Sequence, residues 1–398
     1  MSRVATIIGS AAAPIRRMQT KRDPDAISVL EHELVAGLIL DAMADAGVDK
    51  SDIGSLIFAN PRIYTRQKYF STFMANYLRL PVSGTVTQIE VDGMTGGATF
   101  DEGVKDIELG RAKVALIVGV NFETATPSAE HANNSMLHTG DINFHTPFGF
   151  TPISWYGMDG VRYMHQYGAT RAELATVAVK NRYHASMNPI AQYRTPITLE
   201  EVLAQRPIIE PFGLMEVPPR GDGAICLVMA EEDVAKSLRK PYARLRGRGF
   251  HHEGSHQISD VPHDMMEFAA AREASRIAFA QAGITASDLD FAELYAPCTV
   301  VEVLASEAIG LVPRGQGAKA AAAGETTLGG RIPICTSGGH QSRGHPPTCT
   351  PLYGMHEVCE QLRGRAGERQ VKGAELGLLS AELGNYNAAM IHVMEAAQ

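Results

Sequence analysis

The chain contains an internal repeat that strongly limits the folds open to it. Residues 41–58 read DAMADAGVDKSDIGSLIF, and residues 277–294 read IAFAQAGITASDLDFAEL. In both copies a helical pattern ends at Ala-Gly, a Ser-Asp pair follows, and an apolar strand comes next. Gly47 and Gly283 fit the position just after a helix, where a left-handed backbone is common. We therefore predict two halves of similar design, 1–235 and 236–398.

Strands and helices alternate within each half. Each half opens with a strand pattern, VATII or YARLRGRGF, and apolar helical segments follow at about 29–46 and 265–282. VALIVGV at 114–120 and ELGLLSAEL at 375–383 are almost continuously apolar, which is typical of strands covered on both faces. The alternation predicts a layered α/β fold.

Composition excludes several classes of protein. The 398 residues are 45% hydrophobic, with a net charge of −8 and no block of Lys or Arg, so a nucleic-acid partner is not expected. No apolar stretch reaches the roughly 20 residues that span a membrane. The five cysteines form no CxxC pair, which argues against a zinc ribbon and favours reduced thiols in a cytoplasmic protein.

Two segments depart from the regular alternation. The N-terminal half carries an excursion over about 121–215, whose first part, 121–160, is rich in Asn, His, Thr, Pro and Gly. Irregular segments of that length are usually functional loops or interface elements, and the sequence does not separate these two readings. The run QGAKAAAAGETTLGG at 316–330 predicts a mobile surface segment.

A first candidate site lies in residues 88–110, QIEVDGMTGGATFDEGVKDIELG. A strand pattern meets a turn of small residues and then a helix, so that backbone N–H groups and a helix N-terminus face one spot. In cysteine enzymes such an elbow holds the nucleophile. Here it holds Gly93 and Met94, and a tight turn that only serves helix packing is the simpler alternative.

Two further candidates lie in the second half. Tyr295 follows the strand pattern FAEL, at the strand end where α/β folds place their sites, although a lone tyrosine is more often an ordinary packed aromatic. His340 and His345 lie in one polar loop between Gly338-Gly339 and Pro346. A histidine in such a loop is a candidate acid or base. No carboxylate cluster accompanies them, so no metal site is predicted.

Taken together, these passages resemble the thiolase superfamily. The resemblance covers nearly the whole chain and is most specific over 156–194, 218–234 and 337–385. It is closest to the branch of the sterol carrier protein X thiolase and to relatives, acyltransferases and cysteine-free aldolases, that pair with a small zinc-ribbon/OB-fold subunit. The resemblance implies a five-layer αβαβα fold, a homodimer, and a heterotetramer with such a partner.

The resemblance also carries over to single residues. Gly93 replaces the acyl-accepting cysteine, and Tyr295 replaces the usual His or Asn. His345 matches the histidine of the family's Gly-His-Pro motif. The second family cysteine, near the C-terminus, has no equivalent in AELGNYNAAMIHV. Acyl transfer through a cysteine thioester is therefore not available by the usual route.

The remaining groups suit enolate chemistry on an acyl-CoA thioester. A retro-aldol cleavage of a 3-hydroxyacyl-CoA needs a base and a proton donor but no covalent acyl enzyme. We expect His345 to be the base and Tyr295 the donor, with CoA as part of the substrate and no further cofactor. Backbone N–H groups near Gly338-Gly339 and Gly384 are expected to stabilise the enolate, and Gly93, Met94 and His340 to contact substrate. The missing cysteine is expected to leave room for a bulky β-carbon, by family analogy a steroid side chain.

Two alternatives remain at this stage. A relocated thiol, Cys298 or Cys349, would support acyltransferase or thiolase activity, and a labelled acyl group trapped on cysteine would reveal it. A non-catalytic acyl-CoA-binding or scaffold subunit would bind without turnover, although the intact Gly-His-Pro motif argues against it.

Overall fold

The computed structural model describes residues 3–18, 30–60, 67–125, 141–253, 265–384 and 386–398. The strands are β1 Ala5–Ala12, β2 Ser55–Ala59, β3 Val86–Ile89, β4 Val114–Asn121, β5 Pro207–Ile209, β6 Phe212–Gly213, β7 Gly223–Glu231, β8 Tyr242–His252, β9 Phe291–Glu293, β10 Leu376–Glu382 and β11 Ala388–Ala397. The helices are α1 Glu31–Ala46, α2 Phe70–Leu78, α3 Thr95–Glu108, α4 Pro152–Tyr167, α5 Arg171–Ser186, α6 Leu199–Ala204, α7 Glu232–Leu238, α8 Ala269–Ala282, α9 Thr299–Ile309, α10 Gly317–Ala322 and α11 Thr350–Leu362.

The strand order shows that the two halves are built alike. The main sheet runs β3-β2-β4-β7-β1-β8-β11-β10-β9, and β5 pairs with β6 apart from it. Reading outward from the centre, β1-β7-β4-β2 in the first half corresponds to β8-β11-β10-β9 in the second. The pairings also agree in sense, being antiparallel, antiparallel and then parallel in each half.

The remaining strand of the first half also has a counterpart. β3 pairs in parallel with β2, and a single parallel bridge joins Ala292 of β9 to Ile334. The two half-sheets meet where β1 and β8 pair over only two positions, Thr6 with Arg244 and Ile7 with Ala243. The duplication in the sequence is therefore a duplication of topology.

Three large apolar cores separate the layers. One lies between α1 and the outer face of the first half-sheet, and another between α8, α9 and the outer face of the second. The third contains side chains of α3 and α11 together with the inner faces of both half-sheets. Alternate residues of one strand enter different cores, as Ile7 and Ile8 do in β1, because side chains of a strand alternate between faces. This gives the predicted five-layer αβαβα arrangement.

Both copies of the repeat fold as predicted. Gly47 ends α1 and Gly283 ends α8, each in the left-handed conformation, with φ of 80° and 68°. A short 3₁₀ turn then precedes β2 and β9. The division of the chain near residue 235 stays a prediction.

The excursion after β4 is more regular than the sequence suggested. Residues 126–140 lie outside the described part, and from Pro152 onward the segment forms α4, α5 and α6. The prediction of a mobile surface segment at 316–330 was wrong, because α10 lies there with Ala318, Ala320 and Ala321 buried in the core of the second half. Small alanine side chains let this helix pack closely against α5. Across the described residues, no helix is both long and apolar enough to cross a membrane.

Candidate active site

The predicted elbow is present between β3 and α3. A 3₁₀ turn spans Asp92–Met94, and Asp92 adopts a positive φ of 42°, which is unusual for a residue other than glycine. The Thr95 hydroxyl accepts the Val91 N–H at 2.7 Å and donates to the Asp92 carbonyl at 2.7 Å. The elbow thus keeps a constrained geometry without carrying a nucleophile.

Gly93 makes room for Tyr295. A Cβ atom built on Gly93 would collide with the Tyr295 hydroxyl and would lie 2.7 Å from the Glu382 carbonyl oxygen. No L-side chain at this position, cysteine included, is compatible with the tyrosine where it stands. The space that the missing cysteine was expected to leave for a bulky β-carbon is therefore filled by a phenol, and that expectation was wrong.

Tyr295 and His345 face each other in the site. Tyr295 lies two residues beyond β9 with 3% of its surface exposed, and its Oη is 3.5 Å from Nε2 of His345. The Thr350 hydroxyl donates to the Pro346 carbonyl at 2.8 Å, so it accepts from Nδ1 of His345 at 2.9 Å. This arrangement places the imidazole proton on Nδ1 and leaves the Nε2 lone pair directed at the phenol.

The electrostatics of the pair assign their protonation states. Burial lowers the pKa of His345 to about 3, and the nearby Arg343 guanidinium acts in the same direction. Burial raises the pKa of Tyr295 well above its usual value, and the carboxylates of Glu382 and Asp92 add to this shift. At neutral pH the site therefore combines a neutral imidazole, able to accept a proton, with a protonated phenol, able to donate one.

His340 completes a group of three rings. Its ring stacks on that of His345 with centroids 4.7 Å apart and an interplanar angle of 9°. It lies edge-on to Tyr295, also at 4.7 Å and at 85°. Burial, helped by His345 and Arg343, lowers the pKa of His340 well below its usual value. The sequence placed both histidines in one loop, and the structure places that loop against Tyr295.

Glu382 is a site residue that the sequence reading missed. It ends β10 next to Gly93, and its buried carboxylate accepts the backbone N–H groups of Gly384 at 2.8 Å and Tyr386 at 3.0 Å. Burial raises its pKa to about 7, against the effect of those two hydrogen bonds. An acidic residue at the end of a strand as apolar as ELGLLSAEL was the available signal, since buried carboxylates are rare.

The expected backbone donors are largely committed within the protein. The Gly384 N–H is donated to Glu382, and the Gly338 N–H to the Cys335 carbonyl at 2.9 Å. Gly338 and Gly339 let the loop approach α5 closely, since a Cβ on either would press into Ala185 or Asn181. At the elbow, the N–H of Gly93 is donated to the Leu383 carbonyl at 3.3 Å.

The other candidate residues pack in apolar clusters. Met94 packs in a small apolar cluster with Ala381 and Ala388, so its contact with substrate stays a prediction. Cys298 belongs to the core of the second half and Cys349 to the central core, and both are fully buried. Burial raises the pKa of Cys298 to about 12 and that of Cys349 further, so both thiols are weak nucleophiles at neutral pH.

Comparison with protein families matches both halves. The family described as "Thiolase, N-terminal domain" matches residues 5–205, and "Thiolase C-terminal domain-like" matches residues 251–396. Among solved structures, one described as "Ltp2-ChsH2(DUF35) aldolase" has a TM-score of 0.79 and 26% identity, covering 99% of this chain and 98% of that chain.

Curated relatives with different names match the chain. An acetyl-CoA acetyltransferase of Methanothermobacter thermautotrophicus is 31% identical over 89% of this chain and 91% of its own length. A steroid side-chain-cleaving aldolase of Thermomonospora curvata is 30% identical over 84% of this chain and 85% of its own. Sterol carrier protein 2 of Oryctolagus cuniculus is 33% identical over 59% of this chain, which spans 44% of that longer protein. With both family domains matched and its sheet duplicated around a shared helical layer, the chain belongs to the thiolase superfamily, in the branch that includes sterol carrier protein 2 and the side-chain-cleaving aldolase.

Proposed function

We propose that this protein is a retro-aldol lyase that cleaves a 3-hydroxyacyl-CoA into a ketone and a shorter acyl-CoA. The observation that carries the proposal is the position of the Tyr295 hydroxyl, which fills the side-chain space at Gly93 and lies 3.5 Å from Nε2 of His345. An acid and a base thus stand where thiolases have their nucleophile. The similarity to a steroid side-chain-cleaving aldolase supports the same reading and favours a bulky, steroid-like β-substituent.

The proton transfers of this reaction need only these two groups and the substrate. Nε2 of His345 takes the proton of the β-hydroxyl group. The oxygen's electrons form the ketone, the Cα–Cβ bond breaks, and its electron pair forms the thioester enolate. Tyr295 then gives its proton to Cα, which yields the acyl-CoA. Transfer of the proton from His345 back to Tyr295, across their 3.5 Å separation, restores both groups, and the reaction consumes neither free CoA nor an oxidant.

The test is cleavage of a 3-hydroxyacyl-CoA with a tertiary β-carbon, followed by release of the ketone. His345→Ala and Tyr295→Phe are each expected to lower kcat by about 10²- to 10⁴-fold, the usual contribution of a general base or acid. Tyr183→Phe, which alters an exposed tyrosine on α5, is the matched control and should retain full activity. Near-complete activity of both site variants would contradict the assignment.

An acyltransferase is the second candidate, because the M. thermautotrophicus acetyltransferase is as similar to this chain as the aldolase is. It would need Cys298 or Cys349 as nucleophile. The raised pKa of both thiols and their burial in apolar cores weigh against this route. Incubation with a radiolabelled acyl-CoA distinguishes the two, since only the acyltransferase leaves label on a cysteine.

Assembly belongs to the same proposal. The similar solved structure is described as an Ltp2-ChsH2 aldolase, with its second component marked as DUF35. We expect this chain to form a homodimer that binds a small zinc-ribbon/OB-fold subunit of that kind, giving a heterotetramer. Light scattering on the purified chain, alone and after co-expression with such a subunit, measures both expectations.

A further inference from the structure

His340 is buried among the reacting groups without a full set of hydrogen bonds. Its side chain is 2% exposed, and its Nδ1 has no hydrogen-bond partner among the described residues. Leaving a buried polar atom unpaired costs roughly 1–3 kcal/mol, so native structures rarely do so without a reason. Because the ring that carries this atom packs against the rings of Tyr295 and His345, a substrate bound there is a candidate partner for it.

The reaction has a requirement that three of the nearby glycine N–H groups do not meet. Charge develops on the thioester oxygen as the enolate forms, and a hydrogen-bond donor must face that oxygen. The N–H groups of Gly384, Gly338 and Gly93 are already donated to Glu382, to Cys335 and to Leu383. A side-chain donor near Tyr295 and His345 would supply the hydrogen bond that these three groups do not.

His340 has the right position and the right charge. Its ring lies parallel to His345 and perpendicular to Tyr295, each with centroids 4.7 Å apart, so a substrate that reaches both of those residues also reaches His340. Burial, with His345 and the buried Arg343 cation of the same loop acting in the same direction, lowers the pKa of His340 and keeps its imidazole neutral. A neutral imidazole still carries one N–H, which donates to an oxygen anion without placing a second cation in the site.

We propose that His340 is a catalytic residue that donates its ring N–H to the thioester oxygen of the acyl-CoA as the enolate forms. The inference rests on the proposed lyase activity and adds the group that stabilises its intermediate. His345 accepts the β-hydroxyl proton, Tyr295 protonates Cα, and His340 holds the oxygen between these steps without itself losing a proton.

The test separates enolate formation from carbon–carbon cleavage. Exchange of the Cα protons of acetyl-CoA or propionyl-CoA in deuterated water reports the enolate alone, whereas ketone release reports the full reaction. His340→Ala is expected to slow both by about 10²- to 10³-fold, the usual loss for one oxyanion donor, with KM changed only a few-fold. His340→Gln, whose amide keeps an N–H donor, should regain at least tenfold.

The control is His392→Ala, which removes another buried imidazole, on β11, and should leave both rates unchanged. If wild-type protein cleaves substrate and His340→Ala matches it within threefold, the donor role is overturned while the lyase stands. If wild-type protein exchanges Cα protons and His340→Ala does not, but no hydroxyacyl-CoA is cleaved, the donor stands and the lyase fails. Absence of both reactions in the wild type overturns both.

Discussion

The phenolic oxygen of Tyr295 lies so close to Gly93 that it would clash with the Cβ atom of any other residue at that position. The two positions are therefore coupled, because a nucleophile at 93 and a tyrosine at 295 exclude each other. The resemblance implies that these are the positions of the family's cysteine and of its usual His or Asn, and on that basis the two replacements amount to one change.

Restoring the cysteine alone should inactivate the protein. Gly93→Cys forces Tyr295 out of line with His345, and a displacement of about 1 Å at a reacting group costs roughly 10²-fold in rate. The lyase assay measures this loss. In Gly93→Cys/Tyr295→Asn the clash with the phenol is removed, a small backbone shift must relieve the remaining contact with the Glu382 carbonyl oxygen, and the introduced thiol should accept a radiolabelled acyl group from acyl-CoA. Gly37→Cys is the matched control, since a Cβ there meets nothing within 4 Å. Acyl labelling of the single variant equal to that of the double variant would contradict the coupling.

Glu382 should impose a pH dependence near neutrality. Its pKa of about 7 means that the carboxyl is protonated at pH 6 and ionised at pH 8. The ionised form raises the pKa of Tyr295 and makes the phenol a weaker proton donor. We expect kcat to fall several-fold from pH 6 to pH 8 in the wild type and to stay flat in Glu382→Gln. If kcat depends on pH in the same way in both proteins, Glu382 does not control the proton donor.

Buried histidines should destabilise the fold in mild acid. Burial lowers the pKa of His392 to about 4, while the unfolded chain titrates near 6.5. Between those values the unfolded state binds more protons, so the stabilising contribution is complete above pH 6.5 and is lost as the pH falls towards 4. Urea unfolding at pH 7.5, 5.5 and 4.5 measures the loss. His392→Gln should reduce the slope with pH, and a slope equal to that of the wild type would contradict this assignment.

Loss of one partner of the Lys180–Glu302 ion pair should destabilise the fold more than loss of both partners. Both side chains are almost fully buried, and the ammonium group also donates to the Ile334 carbonyl at 2.9 Å. Glu302→Gln leaves an unpaired buried cation and is expected to cost about 3–5 kcal/mol of unfolding free energy. Lys180→Met combined with Glu302→Gln should recover part of that loss. Glu273→Gln, which breaks an exposed pair with Arg276, serves as control and should leave the urea midpoint in place.

The architecture could be predicted from the sequence because the sequence contains an internal repeat. Helices end at Ala-Gly at 46–47 and at 282–283, and each end is followed by a Ser-Asp pair and a strand. These two points are equivalent in the two half-sheets. Patterns of this kind are local and can be recognised in the sequence. The error at 316–330 arose because a low-complexity run rich in alanine and glycine is typical of mobile segments. In the fold, the small side chains of α10 are what close packing against α5 requires.

The site was only partly predictable. Gly93, Tyr295 and His345 stand out because they depart from or match a recognisable motif. That Tyr295 fills the space at Gly93 depends on the meeting of β9 and the elbow, which are some 200 residues apart in the chain, and no local pattern encodes it. The position of Glu382, and the hydrogen bond that its carboxylate accepts from the Gly384 N–H, likewise depend on how the end of β10 packs against α3.

All five cysteines are free and buried, and none lies in the elbow. A thiolase that works through an exposed thiolate stops when that sulfur is alkylated or oxidised. No cysteine lies in the elbow of this protein. Peroxide or iodoacetamide at concentrations that inactivate its cysteine-dependent relatives should therefore leave its activity unchanged. The proposed chemistry, which uses a phenol and an imidazole and no thiol, would thus keep the scaffold active under oxidative stress.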